Sequence, residues 1–251
     1  MILGFALLIS FLHACKDEKR KDGKAGTQDS GIADGSNQGD AAVNNEPMTR
    51  VRIKTGFGDI VVGLYNDTPE HRDNFLKLSR EGFYNGTSFH RVMKEFMIQG
   101  GDPNSKKPET MAMAGQGGPG YNVKAEIRKN HVHMRGALCA ARQADQVNPK
   151  RESSGSQFYI VQGFEPGMLM ESQLLQLQTQ VATKLAGFKY TSSQLDDYMK
   201  KGGYPFLDMD YTVFGEVIEG MDVVIAIANV EVDPANNRPL KDVKMEMEVL
   251  E

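Results

Sequence analysis

"SFHRVMKEFMIQGGDP", Ser88 to Pro103, overlaps two short strand-like runs, TSFHRVM and FMIQGG, of which the second closes on a glycine turn. It packs a Phe-His-Arg triplet, a Phe-Met-Ile run and a Gly-Gly-Asp-Pro turn into sixteen residues. No obvious nucleophile, metal-ligand spacing or phosphate loop accompanies them. Whatever this segment does, it does with one arginine beside an apolar wall.

The same texture of short strands continues on both sides. Upstream, VRIKTGFGDIVVGLY alternates apolar and polar residues around Gly56-Phe57-Gly58 and reads as a β-hairpin. DTPEHRDNFLKLSREG then reads as a helix: Thr68 stands at the cap, Pro69 at the first helical position, Phe75 and Leu78 on one side, and Gly82 at the stop. Downstream, MAMAGQGGPGYNVKAEI is a glycine-rich loop leading into an extended piece, and GALCAA, SQFYIVQ and YTVFGEVI are compact strand-like runs. MDVVIAIANV reads as a short helix, and VKMEMEVLE alternates as a half-solvated strand does. Many short strands with few helices predict a mainly β sandwich or closed barrel. One segment departs from this. Between Phe164 and Pro205, MLMESQLLQLQTQVATKLAGF and TSSQLDDYMKKGG read as helices, Thr191 and Gln194 have capping-box spacing, and Gly202-Gly203 ends the second. This predicts a helical insertion over 165–204, whose Leu and Met residues pack it onto the barrel.

The N-terminal region has a different composition. Residues 1–14, MILGFALLISFLHA, form an apolar run too short for a span of ~20 residues but of suitable length for a secretory signal. Leu12-His13-Ala14-Cys15 resembles a bacterial lipobox, which implies a lipidated Cys15 as the mature first residue. From there to residue 47 the chain is rich in Gly, Asp, Asn, Ser and Lys and carries almost nothing to bury. The expectation is a disordered tether over 15–47 with a reach of ~30 Å. The corresponding location is the bacterial cell envelope, with the protein lipid-anchored at the periplasmic face or the cell surface. Residues 48–251 are enough for one domain with a sizeable core. The chain has two cysteines; with Cys15 lipidated, Cys139 has no intramolecular partner and reads as a small core residue. A net charge of −4, no Trp and no basic block beyond the tether argue against nucleic-acid binding.

FYNGTSFHRVMKEFMIQGGDP, GGPGYNVKAEI, HMRGALCAAR, SGSQFYIVQG and FLDMDYTVFGEVIEGMDVV together resemble the cyclophilin family of peptidyl-prolyl cis-trans isomerases, in that family's order. The resemblance covers nearly all of residues 50–251 apart from the insertion. It implies a closed eight-stranded antiparallel β-barrel capped by two helices, with a monomer as the default state. By position it makes Arg91 the catalytic arginine. Phe96, Met97 and Gln99 match one wall of the substrate site, Gln157 and Tyr159 a glutamine and an aromatic, and Leu207 a pocket leucine. Ala141 and Arg142 fall where relatives present backbone groups to the substrate, and Gly115 matches a glycine lining the neighbouring pocket. Two positions depart. Phe206 stands where many eukaryotic members carry a cyclosporin-contacting tryptophan, which predicts weak cyclosporin binding. Tyr211 stands where many carry a histidine beside the proline pocket, which predicts an altered rate or preference rather than loss.

The implied activity is rotation about X–Pro bonds in exported polypeptides, assisting their folding. It needs no metal or cofactor. A membrane-tethered peptide-binding chaperone with little turnover is the alternative. A third reading, a metal hydrolase built on His131 and His133, lacks a third ligand cluster, so these residues are expected to have surface and structural roles. His90 is expected to pack in the barrel or support the site rather than act as a base.

Overall fold

The computed structural model describes residues 47–250. The signal segment, Cys15 and the tether up to residue 46 lie outside the described residues. Among the described residues no helix is long and apolar enough to cross a membrane.

The strands in chain order are β1 (Thr49–Thr55), β2 (Gly58–Leu64), β3 (Arg91–Met93), β4 (Met97–Gly100), β5 (Asn122–Val123) and β6 (Ala137–Ala140). They continue with β7 (Ser153–Ser154), β8 (Phe158–Val161), β9 (Val213–Glu219), β10 (Val232–Asp233), β11 (Arg238–Pro239) and β12 (Met245–Leu250). The helices are α1 (Pro69–Arg80), α2 (Glu171–Lys184), α3 (Ser192–Lys201) and α4 (Met221–Ala228). Eight strands make one curled antiparallel sheet in the order β12-β1-β2-β9-β6-β8-β4-β3, while β5 with β7 and β10 with β11 form two small separate pairs.

The eight antiparallel strands match the sequence expectation, but closure of the barrel is looser than expected. No ladder joins the edge strands β3 and β12. The chain just before β3 meets the chain entering β12 instead. Gly86 N–H donates to Met245 O at 2.9 Å, Met245 N–H to Thr87 O at 2.8 Å and Phe89 N–H to Val243 O at 2.9 Å. Only Ser88 and Lys244 pair there as a β-bridge.

Alternation along the strands separates two faces. Ile98, Leu138, Phe158 and Phe214 point into the main core, while their neighbours Met97, Cys139, Tyr159 and Val213 belong to a cluster on the opposite face. The main core is capped by Phe75 and Leu78 of α1 and by Val224 and Ile227 of α4. Phe75 meets Phe158 and Phe214 edge-on at 5.5 Å each. Cys139 is fully buried, in keeping with a core role.

The start of α1 differs from the sequence reading. Thr68 occupies the N-cap position without a side-chain cap bond. The free N–H groups of Glu70 and His71 donate to the Glu126 carboxylate at 3.3 and 3.0 Å, and His71 Nδ1 lies 2.7 Å from Glu126 Oε2. An acceptor distant in sequence thus satisfies the helix end.

The helical insertion forms as α2 and α3. The capping box of α3 is present, with Gln194 N–H donating to Thr191 Oγ1 at 3.1 Å and Thr191 N–H to Gln194 Oε1 at 3.0 Å. Gly202 ends the helix at φ 79°. Leu174, Leu177, Val181, Phe188, Leu195 and Tyr198 of this segment form a second core with Val132 and Met209 of the flanking chain. The insertion therefore buries its leucines in a core of its own with the flanking chain rather than directly on the barrel strands, and Met168, Met170 and Leu175 stay exposed.

Candidate active site

Register across the sheet assembles the site on the face opposite the main core. Arg91 in β3 pairs with Gln99 in β4, Gln99 with Tyr159 in β8, and Tyr159 with Cys139 in β6. Directly paired residues share a face, so one row crosses four strands, with Met97 two residues from Gln99 on the same side. Arg91, Phe96, Met97, Gln99, Ala141, Arg142, Tyr159, Leu207 and Tyr211 line a pocket of about 100 Å³. All nine were singled out from the sequence.

Arg91 is half-buried at the pocket. Its guanidinium donates to Gln99 Oε1 at 3.3 Å and to Met93 Sδ at 3.1 Å, and lies 5.9 Å from the Phe96 ring centre. Gln99 Nε2 donates to Gln157 Oε1 at 3.1 Å; Gln157 Nε2 in turn donates to Gly117 O at 2.8 Å and Asp102 Oδ2 at 3.2 Å. This chain of amides fixes the orientation of the arginine. Desolvation works against the Arg91 charge and lowers its pKa from the ordinary value, but arginine remains protonated under all biological conditions.

Tyr211 forms another side of the pocket, edge-on to Tyr159 at 5.8 Å. The Arg142 guanidinium lies 4.7 Å from the Tyr211 ring centre. Arg142 also donates to Asp210 O at 2.8 Å, Gln143 O at 2.9 Å and the Asp145 carboxylate. Its side chain therefore braces the wall of the pocket. The Ala141 backbone is more occupied than the sequence reading supposed: its N–H donates to Gln157 O at 2.9 Å and its carbonyl accepts from Ser154 N–H at 2.8 Å.

Gly115 and Gln157 line a neighbouring hollow of about 450 Å³ instead, which shares Gln99, Ala141 and Arg142 with the first pocket. Phe206 lines neither; it is half-exposed on a groove one residue from Leu207. Sequence reading missed the supports. Asp102, fully buried, accepts from Gly115 N–H at 2.6 Å, Gly117 N–H at 2.7 Å and Asn104 N–H at 2.7 Å, and so shapes the glycine-rich loop. Its visible signal was the Gly-Gly-Asp-Pro turn. The Tyr159 hydroxyl lies 2.9 Å from His133 Nε2, and His133 Nδ1 lies 2.8 Å from Asp208 Oδ1. Asp208 Oδ2 accepts from Tyr190 and Tyr198 of the insertion at 2.7 Å each. No local pattern announces that network.

His131 stacks on Tyr65 at 4.0 Å and lies 2.6 Å from Asp67 through Nε2. Both histidines of the H-x-H pair are thus engaged with carboxylates of the protein itself. Among the described residues, no three His, Cys, Asp or Glu side chains gather where a metal ion could be held.

A family model described as "Cyclophilin type peptidyl-prolyl cis-trans isomerase/CLD" matches residues 50–249. A relative from Staphylococcus aureus (strain USA300), named "Putative peptidyl-prolyl cis-trans isomerase", is 36% identical over 198 residues, covering 78% of this chain and 89% of its own. A relative of the same name from Staphylococcus saprophyticus is 36% identical over 201 residues, covering 79% and 90%. The crystal structure of a Cryptosporidium parvum cyclophilin-type peptidyl-prolyl cis-trans isomerase superposes with a TM-score of 0.58 at 25% identity, covering 81% of this chain and 98% of that one. The same protein solved in the presence of the dipeptide Ala-Pro gives 0.57 at 25% identity, covering 80% and 99%.

Proposed function

We infer the workings of this site from one premise: the chain belongs to the cyclophilin-type peptidyl-prolyl cis-trans isomerase family. It catalyses rotation about the X–Pro peptide bond. That amide has a barrier of ~18–20 kcal/mol because its nitrogen lone pair is shared with the carbonyl. Uncatalysed exchange takes tens to hundreds of seconds.

In the half-rotated transition state the proline nitrogen leaves conjugation, becomes pyramidal and gains a usable lone pair. A donor fixed near that nitrogen bonds the transition state better than either planar ground state, and only such a difference accelerates the step. Arg91 is the donor. Its charge is permanent, its planar fork carries five N–H groups, and Gln99 holds it in orientation. Phe96, Met97, Tyr159, Leu207 and Tyr211 hold the proline ring, while the Arg142 backbone and Gln157 hydrogen-bond the flanking peptide. No covalent bond is broken, so neither nucleophile nor metal is required. The observation that carries this reading is the assembly of Arg91, anchored through Gln99, at a pocket of about 100 Å³ walled on its apolar side by Phe96, Met97, Tyr159, Leu207 and Tyr211.

The remaining parts of the proposal rest on sequence. The substrates are exported polypeptides, the chain is anchored in the cell envelope through lipidated Cys15, and the enzyme is a monomer. Cyclosporin binds weakly, because Phe206 replaces a tryptophan and lacks its indole N–H donor.

The test is cis-to-trans exchange of an Ala-Pro peptide, comparing the wild-type protein with Arg91→Ala. The variant is expected to lose about 10²–10³-fold of the acceleration, the usual scale for one transition-state donor. A correctly folded Arg91→Ala protein that retains full rate would overturn the assignment.

A further inference from the structure

A groove of about 310 Å³ opens beside the proline pocket, between α2 and the chain around Phe206. Phe164, Met168, Leu169, Leu174, Leu177 and Phe206 supply its apolar lining, and Gln173, Gln176 and Gln180 its polar one. Among the described residues, no charged side chain lines it. Met168 is 55% exposed and Phe206 49%. Flexible methionine and planar aromatics suit an apolar occupant of variable shape, and glutamine side chains offer both donors and acceptors to a passing peptide backbone.

The groove and the pocket share no lining residue, but a run of aromatic rings bridges them. The Phe96 ring, on the pocket wall, lies 4.5 Å from that of Tyr204. Tyr204 stacks on Phe164 at 5.6 Å and meets Phe206 at 5.4 Å, and both of those line the groove. Phe206 and Leu207 are adjacent in a short 3-10 turn, one serving the groove and the other the pocket. The path from the Phe96 ring through Tyr204 to Phe206 is roughly 10 Å, which about three extended residues span.

We propose that this groove is a second substrate subsite, taking an apolar segment of the same polypeptide whose proline occupies the Arg91 pocket, on the side away from the glycine-rich hollow. The proposal rests on the isomerase reading and adds the substrate class: prolines lying about three residues from a cluster of apolar side chains, as found in chains not yet folded. A proline held in the pocket raises the effective concentration of the adjoining segment at the groove. The lack of lining charge disfavours an anionic surface as occupant. α2 thereby becomes part of the substrate-recognition surface as well as of a folded insertion.

The test uses the full-length protein, wild type and the double variant Met168→Glu, Gln176→Glu, with three peptides of equal length. One has Leu-Phe three residues before the proline, one has it three residues after, and the third has Ser-Gly at both places. Wild type is expected to turn over one apolar peptide with kcat/KM about tenfold above the Ser-Gly peptide, equal to ~1.4 kcal/mol of extra binding. The double variant is expected to lose that ratio through KM with kcat unchanged. A ratio near one in the wild type, or an unaltered ratio in the variant, overturns the subsite. Fluorescence anisotropy of the labelled apolar peptide runs in parallel. If neither protein turns over any peptide, the isomerase reading fails, and the subsite then stands only if the variant still binds the labelled peptide about tenfold more weakly. Phosphatidylcholine vesicles and sedimentation velocity complete the set. Should the variant abolish vesicle binding or self-association while the peptide ratio persists, a lipid surface or a second copy is the occupant and the proposal is wrong.

Discussion

His90 sits buried next to Arg91 in sequence, with Gly115 of the glycine-rich loop close to its ring. Burial pushes its pKa down to about 4, the nearby Asp102 carboxylate pulling the other way and Arg238 and Arg91 adding to the fall. In the unfolded chain the ring titrates near ~6.5. Above that value it is neutral in both states and contributes nothing to the pH dependence. As pH falls below it, the unfolded chain takes a proton that the folded protein refuses, so stability drops by ~1.4 kcal/mol per pH unit. The loss is complete near pH 4 and totals about 3 kcal/mol. Urea unfolding at pH 7.5 and pH 5, on wild type and His90→Gln, isolates this contribution: the variant should lose less stability between the two pH values. Equal losses would show that His90 is not the cause. The comparison also marks what sequence can say about single residues. Arg91, Phe96, Met97, Gln99, Tyr159, Leu207 and Tyr211 were legible because each lies inside a block whose order carries its meaning, and the structure brings them to one pocket. Asp102, His133 and Asp208 were not legible as a group, since their work is hydrogen bonding across up to 75 residues of chain, which no local spacing encodes.

The elements with local causes were the readable ones. The Gly56-Phe57 turn, the alternation of β12 and the Thr191–Gln194 capping box each satisfy their own backbone or pattern within a few residues. α1 shows the opposite case. Its Thr-Pro entry promised a local cap, whereas the N–H groups of Glu70 and His71 are satisfied by Glu126 from a loop more than fifty residues away. Burial opposes ionisation of that carboxylate, but its bonds from the His71 side chain and from the two N–H groups prevail and hold its pKa below the usual range. Glu126→Ala removes the cap and the partner of a buried histidine together. The expected cost is about 3 kcal/mol, read as a fall in the melting temperature of roughly 6–12 °C for a domain of this size. Thr68→Ala, measured alongside, should cost clearly less. The reverse ranking would return the cap to Thr68.

At the scale of the molecule, the question is whether the barrel and the insertion behave as one cooperative body. Each has its own apolar core: one inside the curled sheet under α1 and α4, the other among α2, α3 and the chain around Val132 and Met209. They are joined by polar contacts as well as by packing. Asp208, buried without solvent contact, takes its His133 bonds from the barrel side and two tyrosine hydroxyls from the insertion, and through His133 it reaches Tyr159 in the pocket wall. A buried carboxylate stripped of donors is costly in either arrangement, so the insertion cannot detach without leaving Asp208 under-satisfied. Sequence announced the insertion as helical but not this linkage. The expected behaviour is a single thermal transition for residues of both cores, followed by calorimetry and by tyrosine fluorescence. Tyr190→Phe with Tyr198→Phe removes both hydroxyl donors while preserving the rings that pack there. The pair should cost about 2–4 kcal/mol, lowering the one transition by roughly 4–16 °C without splitting it. Two separated transitions in the wild type would show that the insertion melts independently. A variant with an unshifted midpoint would show that packing, not Asp208, couples the two cores.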